Sequence, residues 1–285
     1  MNAVLVVARL TVAEAVRRRI VWVLLGLTVV SVTLTTWGVE RLVSLAREAG
    51  RDELSIFVGV AGILVLAAFM FSFVLAMTAA FLAAPAIATD LETGIAQAML
   101  ARPIRRTDLV VGRWLGLVLV VLAYAVVSGL LEILAIGQVS GYVPPKPLEA
   151  VLFLAAQSIV LLTVALLLST RLPAMASGAI CVVLFGLGWM AGVFANVGRV
   201  LDAGPLVTVA EASRWMLPTD GLWRGAIHAL QPPITLLFGG DVADAANANP
   251  FFAPAPPPVG FLVWTVVWTL LVLGLASLSL ERRDL

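Results

Sequence analysis

Six apolar runs, at residues 20–38, 56–84, 109–136, 149–169, 174–197 and 259–280, constrain this chain more than any other feature. A helix needs about 20 apolar residues to cross the hydrocarbon core of a bilayer, and each run reaches that length or comes within a residue or two of it. Lipid offers no hydrogen-bond partners, so every backbone group in a run must be satisfied internally, which makes helix the default. The expected fold is an all-α membrane protein, with six transmembrane helices in a single domain over residues 1–285. Composition agrees, because 61% of residues are hydrophobic and 12% charged, about half the charge of a soluble domain.

The joints between runs assign sides. With the N-terminus inside, alternate joints gather Arg9, Arg17, Arg18, Arg19, Arg102, Arg105, Arg106, Arg113, Arg171, Arg282 and Arg283, the basic excess expected on the cytoplasmic face. Both termini are therefore expected in the cytoplasm and the chain in the inner membrane. Residues 1–19 put Thr11, Glu14, Arg17 and Arg18 on one helical side and Leu5, Val12, Ala13, Val16 and Ile20 on the other. This suits an interfacial helix along the inner leaflet, with Glu14, Arg17, Arg18 and Arg19 at the headgroups; a plain topology anchor explains the same residues. The 39–55 joint reads as a helical extension or a partner surface. An external insert, 198–258, is expected to hold two short helical pieces, 206–215 and 221–230, followed by a structureless connector from Asn247 to Pro258. It does not read as a folded domain.

Between the second and third runs lies a charged island, Thr89 to Asp108. Thr89 and Glu92 have capping-box spacing. Leu91, Ile95, Ala98 and Met99 follow one helical face, and Pro103 would stop the helix after Arg102. On charge alone the island is explained as a topology determinant.

The order Asp90-Leu-Glu-x-Gly94, then Arg102-Pro-Ile-Arg-Arg106, then Val111-Gly-Arg-Trp-Leu-Gly116 resembles the loop between the second and third spans of type-2 ABC exporter permeases. It is most similar to the branch that includes the permease of nitrous-oxide reductase maturation. Glu14-Ala-Val-Arg-Arg-Arg19 and the Pro218 to Arg224 segment resemble the same family, whereas Ile95 and Arg113 stand where Thr and Lys are common. The resemblance implies a cytoplasmic coupling helix that docks on a separate ATP-binding subunit. Asp90, Leu91, Glu92, Gly94, Arg102, Pro103, Arg105 and Arg106 fall at the coupling positions. It also implies two copies of that ATPase, which would bind ATP and Mg, and a second copy of this permease or a homologous one. This chain would bind no cofactor itself.

Other chemistry finds little support. No GxxxxGK[ST] phosphate loop occurs, and the one histidine, His228, excludes HExxH. His228 is expected to be solvated in the external insert. Scattered methionines and the single Cys181 give no metal cluster, so neither metal nor catalytic residues are assigned, and nucleic acid is not an expected partner. Gly112 and Gly116 form a small-xxx-small pair suited to close helix packing. Glu132, the one carboxylate inside an expected span, is a candidate for the substrate path, although it lies near the span's outer end. An ion-coupled carrier and a non-transporting membrane scaffold remain as alternative readings.

Overall fold

The structure, a computed structural model, describes residues 3–17, 19–93, 105–232 and 249–283. Ten helices lie among them: α1 (Ala3–Arg17), α2 (Arg19–Glu48), α3 (Glu53–Ala83), α4 (Pro85–Glu92), α5 (Arg106–Ser140), α6 (Pro147–Ser169), α7 (Ala174–Val200), α8 (Gly204–Met216), α9 (Thr219–Leu230) and α10 (Val259–Glu281). Six of these paths are long and apolar enough to cross a membrane, α3 and α4 together making one of them.

Helix α6 is the hub of the bundle, touching α3, α4, α5, α7, α9 and α10. In lipid, apolar burial gives spans little net drive to associate, so close packing and interhelical hydrogen bonds matter more. Both occur here. Ser72 of α3 donates to Gln157 of α6 at 2.9 Å, and the Trp114 indole of α5 donates to Thr163 of α6 at 2.8 Å. Helix α2 stands at the rim, with Trp22, Val23, Val29, Leu34 and Trp37 exposed.

Helix α2 runs ten residues past the expected end of the first span, so the 39–55 joint is largely a helical extension. Asp52 then caps α3, accepting from the Ser55 amide at 3.1 Å, and that bond holds its carboxyl below the usual value. At the same end of the bundle α5 closes on Gly141, whose φ of 74° is left-handed, as a helix C-terminus favours.

The segment after α7 holds the two short helices expected of it, α8 and α9, but they pack into the bundle. Helix α8 returns along α7: Gly198 meets Leu206 and Val207, and Gly188 meets Leu217 and Thr219. Ten residues of α7 separate those contacts, about 15 Å at the rise of an α-helix. The hairpin thus lies beside α7 over about half the length that a helix needs to cross a core some 30 Å thick, and the chain turns back as α9. Helix α9 is no solvated piece of an insert, because Leu222, Trp223, Ala226, Ile227 and Leu230 are buried, mainly against α6. Tyr142, whose phenol burial pushes well above its ordinary value, donates to the Leu230 carbonyl at 2.7 Å and pins the end of α9.

The 249–258 stretch has no regular structure but is tied down. Gln231 Nε2 donates to Phe251 O at 2.9 Å, the Ala253 amide donates to Gln231 Oε1 at 3.3 Å, and Phe251 packs edge-on against Phe69. His228 is half-buried, with Nδ1 3.2 Å from Ala253 O, which corrects its expected solvation.

Candidate functional site

At the end of the bundle where α1, α4 and the start of α5 meet, a short polar bridge joins all three. Gly112 and Gly116 create it by letting α1 settle directly on α5. A Cβ on Gly112 would come within 2.6 Å of Val7 Cβ, and one on Gly116 equally close to Thr11 Cβ. Real side chains do not approach so nearly, so α1 can lie here only over glycine. Thr11, expected on the polar side, is buried in this contact, whereas Leu5 and Val16 on the opposite face are 63% and 52% exposed.

Arg113, next to Gly112, then reaches two carboxylates. Its Nη1 donates to Glu14 Oε2 of α1 at 2.5 Å, and its Nη2 to Asp90 Oδ2 of α4 at 2.6 Å. Asp90 lies in the last turn of α4, where the helix dipole disfavours negative charge, and it is almost wholly buried. The guanidinium compensates both penalties. A buried carboxylate without such a partner would shed its charge or destabilise the fold.

The local helix differs from the one expected. Thr89 does not begin a helix by a capping box; it lies inside α4, which ends at Glu92, and its carbonyl accepts from the Thr93 amide at 3.0 Å and the Thr93 hydroxyl at 2.7 Å. Helix α3 ends at Ala83 and α4 begins at Pro85, but the chain does not change direction between them. Ala84 keeps helical angles (φ −54°, ψ −44°), and proline is well suited to the first turn of α4, where its missing N–H costs nothing.

The remaining sequence candidates separate. Leu91 is half-buried, Glu92 exposed, and Arg105 exposed ahead of α5. Arg106 turns away from the island: its Nη1 donates to the carbonyls of Leu280, Glu281 and Arg283 at 3.0, 3.0 and 2.6 Å. It satisfies orphan carbonyls at the end of α10, helped by Arg171 on Ser279 and Arg283 on Thr170 O. Arg17 is exposed at the end of α1. Gly94, Arg102, Pro103 and Arg18 lie outside the described residues, as does the side chain of Arg19.

Glu132 stands apart from this bridge. It is buried between α5 and α2, accepts from Thr35 Oγ1 at 3.1 Å, and borders a cavity of about 170 Å³ together with Ser31 and Tyr124. Two helical turns away, Thr28 pairs with Tyr124 at 2.8 Å, so a polar seam joins α2 to α5. Among the described residues no group of three or more His, Cys, Asp or Glu side chains is arranged to hold a metal.

A second ion cluster, which no local sequence signal marks, lies in the α8–α9 hairpin. Asp220 accepts from Arg214 Nε at 2.9 Å and Arg224 Nε at 3.1 Å. Arg224 also donates to Gly192 O at 3.1 Å and Asn196 Oδ1 at 2.8 Å. The Pro218 to Arg224 motif was readable; its pairing with Arg214 and α7 was not.

The bundle, its re-entrant hairpin and its braced end define a polytopic helical membrane protein in which the approach to one inter-span segment is coupled to the N-terminal helix. A family model described as "ABC-2 family transporter protein" matches residues 5–285, and the chain belongs to that family. It is therefore a membrane component of an ABC-type transporter. No curated protein matches it.

Proposed function

We propose that this chain is the permease subunit of an ATP-driven exporter, related to the branch that includes the permease of nitrous-oxide reductase maturation. It sits in the inner membrane with both termini in the cytoplasm, and it pairs with a second permease chain and two separate ATP-binding subunits that hold ATP and Mg. The observation that carries this reading is the Glu14–Arg113–Asp90 bridge. Residues 93–105 form the docking surface; nucleotide-driven closure of the ATPase displaces them, and α4 transmits the displacement. Because Arg113 ties α4 to α1 and α5 at once, a push on α4 moves those helices together and the path opens alternately to either side. In this scheme α1 lies at the membrane surface, presenting Leu5 and Val16 to lipid.

The test uses the permease co-expressed with its ATPase. A Glu92→Lys, Arg105→Glu double variant alters two exposed side chains on either side of the docking segment. Expected results are loss of co-purification, or hydrolysis that substrate no longer stimulates. Co-purification and stimulation equal to wild type would reject the docking role.

Glu132 favours a second reading, an ion-coupled carrier, because a buried carboxylate within a span can carry a proton. That reading requires Glu132→Gln to abolish transport while the docking variant transports normally.

A further inference from the structure

The re-entrant hairpin encloses one side of a cavity of about 450 Å³, a size typical of small-molecule sites. Arg199 of α7, Arg214 of α8 and Arg224 of α9 converge on it, with Glu211 at the rim and Asp220 beneath. Among these described groups, three guanidiniums face two carboxylates, so one positive charge has no counterpart. The excess has a definite location. Arg214 binds Asp220 through Nε, whereas its Nη2 is buried and has no acceptor among the described residues. A buried donor left without an acceptor is costly, and a guanidinium fork suits the oxygens of a phosphate or carboxylate.

Part of the lining is apolar. Trp215 and Phe261 meet edge-on at 5.8 Å, beside the proline-rich stretch before α10. The Trp264 indole donates to the Trp215 carbonyl at 2.9 Å and holds this wall against α10. The cavity therefore offers both cationic donors and a hydrocarbon surface.

The geometry points to a binding site for an amphiphilic anion, whose phosphate or carboxylate head is held by Arg214 with Arg199 and Arg224 nearby and whose apolar body lies along Trp215 and Phe261. The site lies at the opposite end of the bundle from the Arg113 bridge and is independent of the coupling proposal, since binding is measured without the ATPase. The same chemistry has two sources, the headgroup of an anionic phospholipid and a free amphiphilic acid.

The full-length chain in neutral detergent would be titrated with dodecyl phosphate and, separately, inorganic phosphate, following thermal unfolding. In a second arm, chain from nanodiscs containing phosphatidylglycerol or only phosphatidylcholine would be examined by native mass spectrometry for retained lipid. Dodecyl phosphate is expected to raise Tm saturably and inorganic phosphate to bind at least tenfold more weakly. Arg214→Gln should weaken dodecyl phosphate about tenfold or more. Glu211→Gln, at an exposed rim position, should tighten it severalfold by releasing Arg199, and it guards against a folding defect in the first variant. Retention of phosphatidylglycerol that is lost in Arg214→Gln assigns the site to lipid, and dodecyl phosphate binding without such retention assigns it to a free acid. No binding of either amphiphile, equal affinity for inorganic and dodecyl phosphate, or affinities unchanged in both variants would overturn the proposal.

Discussion

At Arg113 the two carboxylates are unequal, since the Asp90 side chain is 12% exposed and that of Glu14 44%. Water screens the outer pair, so a double-mutant cycle between Glu14 and Arg113 in detergent should give under about 1 kcal/mol. Removing the charge of Asp90 or Arg113 breaks a largely buried pair, for which about 3 kcal/mol is expected. Thermal or denaturant unfolding of Glu14→Gln, Asp90→Asn, Arg113→Gln and the double variants measures both couplings, and similar values for the two pairs would contradict this ranking. Arg113 was legible in the sequence as one of a basic collar. Its partners were not, because they lie 23 and 99 residues away and nothing local records the pairing. Gly112 and Gly116 were legible as a close-packing pair, whereas the helix they admit had to be seen.

Among the elements, apolar length located the six spans well, with ends shifted by a few residues and α2 continuing further. Thr89 and Glu92 had the right spacing for a cap, but a cap forms only where the chain enters a helix, and here α3 passes through Ala84 and Pro85 into α4 without leaving helical geometry. Helix α9 was underestimated for another reason. Its 12 residues cannot cross a bilayer, so a search for spans passes over it, although Trp223, Ala226, Ile227 and Leu230 have the spacing of one buried face. Gly225 packs under the Phe153 ring of α6, where a Cβ would fall 2.8 Å from Cε1. Gly225→Val should cost about 1–3 kcal/mol through overpacking and lower Tm in detergent by several degrees. An unchanged Tm would mean that α9 is held less tightly than this contact requires.

For the molecule as a whole, burial falls from α6, where 67% of the apolar stretch is enclosed, to α2, where the figure is 17%. The bundle is therefore built around α6 and leaves α2 a broad apolar face toward its surroundings. The α8–α9 hairpin has a different dependence. It has too few apolar residues to remain in lipid unaided, and its seat is formed by α6, α7 and the Phe261 end of α10. During synthesis the hairpin should consequently wait at the membrane surface until α10 emerges, and only then sink into place. In a Cys181→Ser background, a cysteine substituted for Leu222 should react with a water-soluble maleimide in released, membrane-inserted chains truncated before Val259 and be shielded in the full-length protein. Protection in the truncated chains would show that α6 and α7 suffice. A lesion near the end of the chain would thus leave a charged aspartate and two arginines stranded at the lipid boundary, a ready signal for membrane quality-control proteases.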